Sequence, residues 1–257
     1  MEFNTSEPGS SVALRTGYNS NITATGRPFA LSSFGLNTGI SYFHKNGFYA
    51  DVTGYLSREY QPSWFLTTLT AGYLQSSQEK NRSFSIEYSR YLYNLSDDAT
   101  ISYTGNLALT GFVNIKKLML RAEYNLYHGT KTGHRLTPSV ALNITRENFA
   151  GFDKIQFWPG IQLLFGQEQI SSYRAFTTIP SEIRERIRKR LPLFYESFSN
   201  KAGLMNASFN APLNFQKGSW NFMVIYSYNI PVALPEETLD LEPGGYLSIS
   251  VTKYFFR

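Results

Sequence analysis

The sequence predicts an all-β fold, a transmembrane antiparallel up-and-down β-barrel of about 12 strands with one short amphipathic helix in a long outer loop. Three observations carry that expectation. Apolar and polar residues alternate two by two for tens of residues at a time. Aromatic residues make up 16% of the 257-residue chain, with 18 Tyr and 20 Phe, whereas charged residues make up only 17%, against about 25% in soluble domains. Mean hydropathy is −0.27, and no apolar run approaches the ~18 residues of a spanning helix. Few charges, many aromatics and no hydrophobic run are what strands with one face to lipid and one to water require.

The alternation defines strands at about 11–23, 31–43, 48–57, 64–74, 82–93, 100–113, 118–128, 135–145, 154–166, 202–213, 219–229 and 246–256. In "FGLNTGISY", Phe34, Leu36, Thr38, Ile40 and Tyr42 oppose Gly35, Asn37, Gly39 and Ser41. In "LMLRAEYNLYH", Leu118, Leu120, Ala122, Tyr124 and Leu126 oppose Met119, Arg121, Glu123, Asn125 and Tyr127. "ISYTGNLAL" places Ile101, Tyr103, Leu107 and Leu109 on one face, and the last strand places Leu247, Ile249 and Val251 together. A soluble sandwich also alternates, but its polar face carries Lys, Glu and Asp. Here the polar face is mostly Ser, Thr, Asn, Gly and Gln, the composition of a barrel lining. Pro138 and Pro159 weaken their strands, because proline cannot donate to a ladder.

Connection lengths agree with a barrel. With both termini periplasmic, the inner turns are the short "HKNG", "QSSQEKN", "NIKK", "RENFAGFD" and "NFQKG". The two longest connections, 167–201 and 230–245, fall on the outer side, where such barrels keep long loops. Residues 1–10 are expected to be a flexible segment and 11–257 one barrel domain. The opening "MEFNTSEPGSS" has no basic and no apolar region, so no signal peptide is expected within it. On the apolar face, Arg90 and Lys253 lie near strand ends, from which a long cation reaches the headgroups. Tyr18, Tyr55, Trp64, Tyr226, Tyr228 and Tyr246 are expected to belt one interface, and Tyr42, Phe48, Tyr73, Phe84, Trp220 and Phe255 the other.

The stretch "GISYFHKNGFYADVTGYLSREYQPSWFLTTLTAGYL" and the aromatic end "VTKYFFR" resemble outer-membrane β-barrels of Bacteroidota-type bacteria. The resemblance covers nearly the whole chain as a pattern and carries no functional motif. It implies a Gram-negative outer membrane, with lipid or lipopolysaccharide around the wall and other outer-membrane proteins or lipoproteins as further candidate partners.

Enzymatic motifs are weak. Hydrolysis by a nucleophile needs Ser or Thr beside an oriented His. The three histidines are His44 in an inner turn and His128 and His134 flanking "HGTKTGH". A His-x-Ser arrangement is absent there, and two His six residues apart match no metal motif. No catalytic residue, metal or cofactor is expected, and there is no phosphate loop. Nucleic acid is a poor partner at a net charge of +5. The chain has no Cys and hence no disulfide or thiol chemistry.

By parity Arg15, Tyr49, Asp51, Thr53, Glu87, Arg121, Glu123, Asn143, Gln156 and Gln162 point into the lumen. This lining suggests a narrow channel for small polar or anionic solutes, with Arg15 and Arg121 as attractive charges. The alternative is a non-conducting structural or accessory subunit of an envelope complex, its lumen plugged by ion pairs among Arg15, Arg121, Glu87 and Glu123. A lipid-active enzyme is the third. The segment "TIPSEIRERIRKRLPLF" breaks the alternation: Ile183, Ile187 and Leu191 fall four apart, as on a helix. Ser181 is its expected N-cap, and Arg184, Arg186, Arg188, Lys189 and Arg190 give it a basic face. That helix is expected to act as a gate in the barrel mouth or as a docking element on the membrane rim or a partner.

Overall fold

The computed structural model describes residues 9–20, 35–58, 61–77, 79, 81–94, 102–175, 194–235, 237 and 241–256. Alternation over these residues produces β1 (Ser11–Asn19), β2 (Gly35–Phe43), β3 (Phe48–Leu56), β4 (Trp64–Ser76), β5 (Arg82–Tyr93), β6 (Tyr103–Ile115) and β7 (Leu118–Gly129). These are followed by β8 (Gly133–Leu142), β9 (Ile144–Phe149), β10 (Phe152–Phe157), β11 (Gly160–Ala175), β12 (Phe194–Lys217), β13 (Trp220–Pro231) and β14 (Gly244–Phe256). Each strand pairs antiparallel with its neighbours, and β1 pairs with β14, from Ser11↔Phe256 to Asn19↔Ser248, so the sheet closes on itself. Segments β8 and β9 form one wall strand, as do β10 and β11, so the closed barrel has twelve strands.

Two prolines disturb the wall ladders locally. Pro159 offers no N–H, and Trp158 N–H instead bonds Pro212 O at 3.0 Å while Pro159 O accepts from Leu142 N–H at 2.9 Å. Pro138 sits inside β8, where the β8–β11 ladder skips from Leu136↔Phe165 to Ser139↔Gln162. The strand survives because Pro138 still pairs with Ala122 of β7. A closed barrel thus tolerates proline at the loss of ladder bonds on one side.

The exposure pattern is inverted relative to a soluble protein. Leu14, Ile40, Val52, Ile86, Leu120, Val140, Ile161 and Ile249 are exposed on the outer wall, whereas Ser41, Thr53, Ser89, Asn106, Asn125, Asn206, Ser227 and Asn229 are buried. Exposed aliphatics in alternate positions around a closed sheet are the wall a bilayer covers. No described helix is long and apolar enough to cross a membrane.

The five turns expected on the inner side lie at one end, between β2 and β3, β4 and β5, β6 and β7, β9 and β10, and β12 and β13. Gly47, at φ +94°, closes the first of them, and a Cβ there would stand 2.2 Å from Leu74 O. The other end carries the long connections, among them 176–193 and 232–243.

Several expectations need correction. The connection 167–201 is not all loop: β11 runs on to Ala175 and β12 begins at Phe194. Beyond Gly166↔Arg135 no β8 partner remains for β11, and β13 joins β12 only from Asn206↔Pro231. Residues 167–175 and 194–202 therefore form a two-stranded ribbon past the rim. The expected helix and its Arg184, Arg186, Arg188, Lys189 and Arg190 lie outside the described residues. Tyr103 is 8% exposed and faces inward, because a bulge between Tyr103 and Gly105 reverses the face of β6. Tyr55 and Tyr246 leave the expected belt, since they alternate with the outward Val52, Leu247 and Ile249. Of the other expected belt members, Tyr18, Trp64, Tyr226 and Tyr228, and at the opposite end Tyr42, Phe48, Phe84, Trp220 and Phe255, are exposed, whereas Tyr73 is half-buried against Phe48.

Candidate transport lumen

The lumen wall has a charged arc on β1–β8 and, on the far side of the β10–β11 strand, an arc on β12–β14. On the first, β1 and β3 present Arg15 and Asp51 toward each other across β2, where Gly39 leaves the space between them. Arg15 Nη2 donates to Asp51 Oδ2 at 3.1 Å and to Thr53 Oγ1 at 2.7 Å. Asp51 also accepts from Ser41 Oγ at 2.5 Å and Thr53 Oγ1 at 2.6 Å. Three donor groups on one carboxylate hold it in place.

Farther round, Tyr49 O–H donates to Glu87 Oε2 at 2.6 Å, and Ser89 Oγ lies 3.4 Å from Glu87 Oε1. On β7, Arg121 and Glu123 form an ion pair. Asn125 Nδ2 donates to Glu123 Oε1 at 2.6 Å, and Asn106 Nδ2 donates to Asn125 Oδ1 at 2.8 Å, so a polar chain runs from β7 to β6. Arg135 of β8 places its guanidinium 5.1 Å from the centre of the Tyr127 ring. Three arginines and three carboxylates thus share this arc. Their charges balance.

Between β7, β8 and β11 lies a cavity of about 140 Å³ lined by Arg121, Glu123, Asn125, Tyr127, Arg135, Thr137, Gln162 and Leu164. It sits where Pro138 opens the β8–β11 ladder and where β12 bulges opposite Leu164 and Phe165. The volume holds several water molecules. Its lining offers guanidinium and amide donors, one carboxylate acceptor and one aromatic face, a set suited to a polyhydroxylated or amide-bearing solute.

The second arc carries no inward charge among its described residues. Asn206 Nδ2 donates to Asn229 Oδ1 at 3.0 Å, Ser227 Oγ donates to Asn210 Oδ1 at 2.7 Å, and Ser248 Oγ donates to Asn19 Oδ1 at 2.5 Å. Buried Asn206 Oδ1, Asn229 Nδ2 and, on the first arc, Asn106 Oδ1 take no hydrogen-bond partner among the described residues. Such groups require water or solute.

At the long-loop end, Leu164, Met205 and Leu234 form a buried apolar cluster. The connection after β13 brings Leu234 there: Val232 N–H bonds Met205 O at 2.9 Å, and Glu237 caps the turn by accepting from Leu234 N–H at 2.7 Å. Leu234 is 3% exposed and lies over Gly203, so this connection folds onto the inner wall and narrows the mouth.

With this geometry in view, the solved structures that resemble the chain are informative. A KdgM porin aligns at TM-score 0.51 with 13% identity, over 95% of this chain and 99% of that one. The fold is that of bacterial outer-membrane β-barrels. An outer-membrane expressed OmpT of Vibrio cholerae aligns at TM-score 0.36 and 9% identity, over 99% of this chain and 100% of that one. No family model and no curated protein matches the sequence.

The lumen residues picked out by parity are distributed as follows. Arg15 meets Asp51, Arg121 meets Glu123, and Glu87 meets Tyr49 rather than an arginine. The structure adds Arg135 and Tyr127, both in period-two register and so accessible to the same parity rule. It also adds Leu234, for which no local pattern gave a signal. The histidines stand apart from the lumen. His128 stacks on Tyr88 at 5.7 Å, and His134 Nδ1 lies 2.7 Å from Tyr124 O–H, both on the outward face. Arg90 on that face donates to Thr104 Oγ1 at 3.2 Å, and Lys253 stands 4.7 Å over the Trp220 ring.

Proposed function

We propose that the protein is an integral outer-membrane barrel whose lumen is a narrow channel for small polar solutes. The observation that carries this reading is the lining: inward side chains are hydroxyls, amides and charge-balanced Arg–carboxylate groups, with a polar cavity beside them. Pore size, hydrogen-bonding groups and electrostatic barriers set what such a lumen passes. Because Arg15 and Arg121 are each paired with a carboxylate, the lumen favours neutral and zwitterionic solutes over anions. Both termini lie on the periplasmic side with the short turns, and lipid or lipopolysaccharide surrounds the exposed aliphatic wall. Purified protein in planar bilayers is expected to give discrete conductance steps, and liposomes carrying it to swell in small neutral solutes. A membrane that stays sealed at all voltages contradicts the reading.

One observation favours a second reading, an accessory subunit of an envelope complex. The β11–β12 ribbon extends past the rim with backbone edges that no other described strand covers, the feature by which extended segments add to a sheet. Gentle extraction followed by mass spectrometry then recovers stoichiometric outer-membrane partners, and a lone monomer refutes it.

A further inference from the structure

The charged arc is also an aromatic one. Tyr49 and Tyr55 of β3, Tyr91 and Tyr93 of β5, and Tyr127 of β7 alternate with outward residues and are only partly buried. They run almost the height of the wall: Tyr49 stands beside a short turn, whereas Tyr55, Tyr93 and Tyr127 lie close to the long-loop end. The register makes them neighbours. Tyr55 and Tyr93 both pair with Leu66 of β4, on opposite sides. The ring centre of Tyr91 is 6.4 Å from that of Tyr93. Tyr127 is backed by Tyr103, with ring centres 5.4 Å apart.

The lowest of these rings is fixed flat on the wall. A Cβ on Gly72 would meet Tyr49 Cζ and Oη at 2.5 Å and Cε1 at 2.8 Å, so the ring lies across the glycine and shows its other face to the lumen. Its hydroxyl is tied to Glu87 at 2.6 Å. Between and beside the rings stand Asp51, Glu87, Glu123 and Arg121, with Asn125, which the polar cavity shares.

From this juxtaposition we infer that the β3–β7 wall is a saccharide track: neutral sugar rings stack their C–H faces on Tyr49, Tyr55, Tyr91 and Tyr93 while the neighbouring carboxylates, guanidinium and amide exchange hydrogen bonds with the hydroxyls. A flat ring flanked by bidentate polar groups matches a pyranose, which has an apolar face and a polar rim. Inorganic ions and small zwitterions have no apolar face to stack, so the tyrosines discriminate between them and sugars of similar size. The inference rests on the channel reading and gives it a substrate class.

The test is single-channel current in concentrated KCl with glucose, maltose and maltotriose added in turn, and glycine as the control. Current interruptions are expected that lengthen from glucose to maltotriose and are absent with glycine. The double variant Tyr91→Leu/Tyr93→Leu is expected to raise the half-blocking maltotriose concentration at least ~10-fold, whereas Tyr91→Phe, which keeps the ring, leaves it within about 2-fold. Tyr55→Leu/Tyr93→Leu is a second pair, used if the first loses its native heat-modifiable migration. An ion current that none of the sugars interrupts overturns the saccharide track and leaves the channel standing. Interruptions unchanged in the leucine variants do the same. A sealed bilayer overturns the channel reading and this inference with it.

Discussion

The lumen's two arcs solve one problem in different ways. Both must fill and hydrate the inside of a closed sheet whose outside is apolar. The β12–β14 arc does it with Asn and Ser in short cross-strand pairs, such as Asn206 with Asn229 and Ser227 with Asn210. The β1–β8 arc uses long charged and aromatic side chains, each held by several partners, as Asp51 is held by Arg15, Ser41 and Thr53. Small neutral pairs can be lost singly at little cost. A multiply bonded charge cannot, because removing one member strands the others. On the proposed channel reading, the difference places selectivity on one side of the barrel and tolerance on the other.

Substitutions can break that contrast. The largest effect is expected for Asp51→Ala, which leaves Arg15 and two hydroxyls without their acceptor in a lumen where Asp51 is only 16% exposed. A loss of about 3 kcal/mol is expected, read as a lowered urea midpoint of the folded barrel. The same variant should shift ion preference toward anions, since a lumen cation loses its counter-charge. Leu234→Ala comes next, at about 2–3 kcal/mol if the cluster with Leu164 and Met205 stays packed around the gap. It should also raise conductance by loosening the connection at the mouth.

Asn206→Ala removes one amide pair of the neutral arc and should cost about 1 kcal/mol, with ion preference unchanged. Ser250→Ala on β14 is expected to stay within about 0.5 kcal/mol of the parent. If Asn206→Ala altered ion preference as strongly as Asp51→Ala, the assignment of selectivity to the charged arc would fail.

How much of this could be read from the sequence differs from feature to feature. The strands were legible because lipid outside and water inside impose a strict period of two. The same rule marked Arg15, Asp51, Glu87, Arg121 and Glu123 as one face. It failed at Tyr103, where a bulge adds a residue and reverses the face without any change in composition. It could not say who pairs with whom, because pairing across β2 depends on register and on the space that Gly39 leaves. Tyr55 and Tyr246 were misassigned because a tyrosine at a strand end suits an interface as well as a lumen, and only the parity of its neighbours decides. The reach of β11 and β12 past the rim was hidden for a similar reason. Once a ribbon leaves the bilayer, neither face needs to be apolar and the period fades.

A charge-balanced conducting lumen meets its sharpest test in the reversal potential of single channels under a KCl gradient. Discrete openings with a reversal potential near zero are expected, because three arginines and three carboxylates face one another along the charged arc. Openings that reverse near the equilibrium potential of one ion, or a membrane without openings, would contradict it.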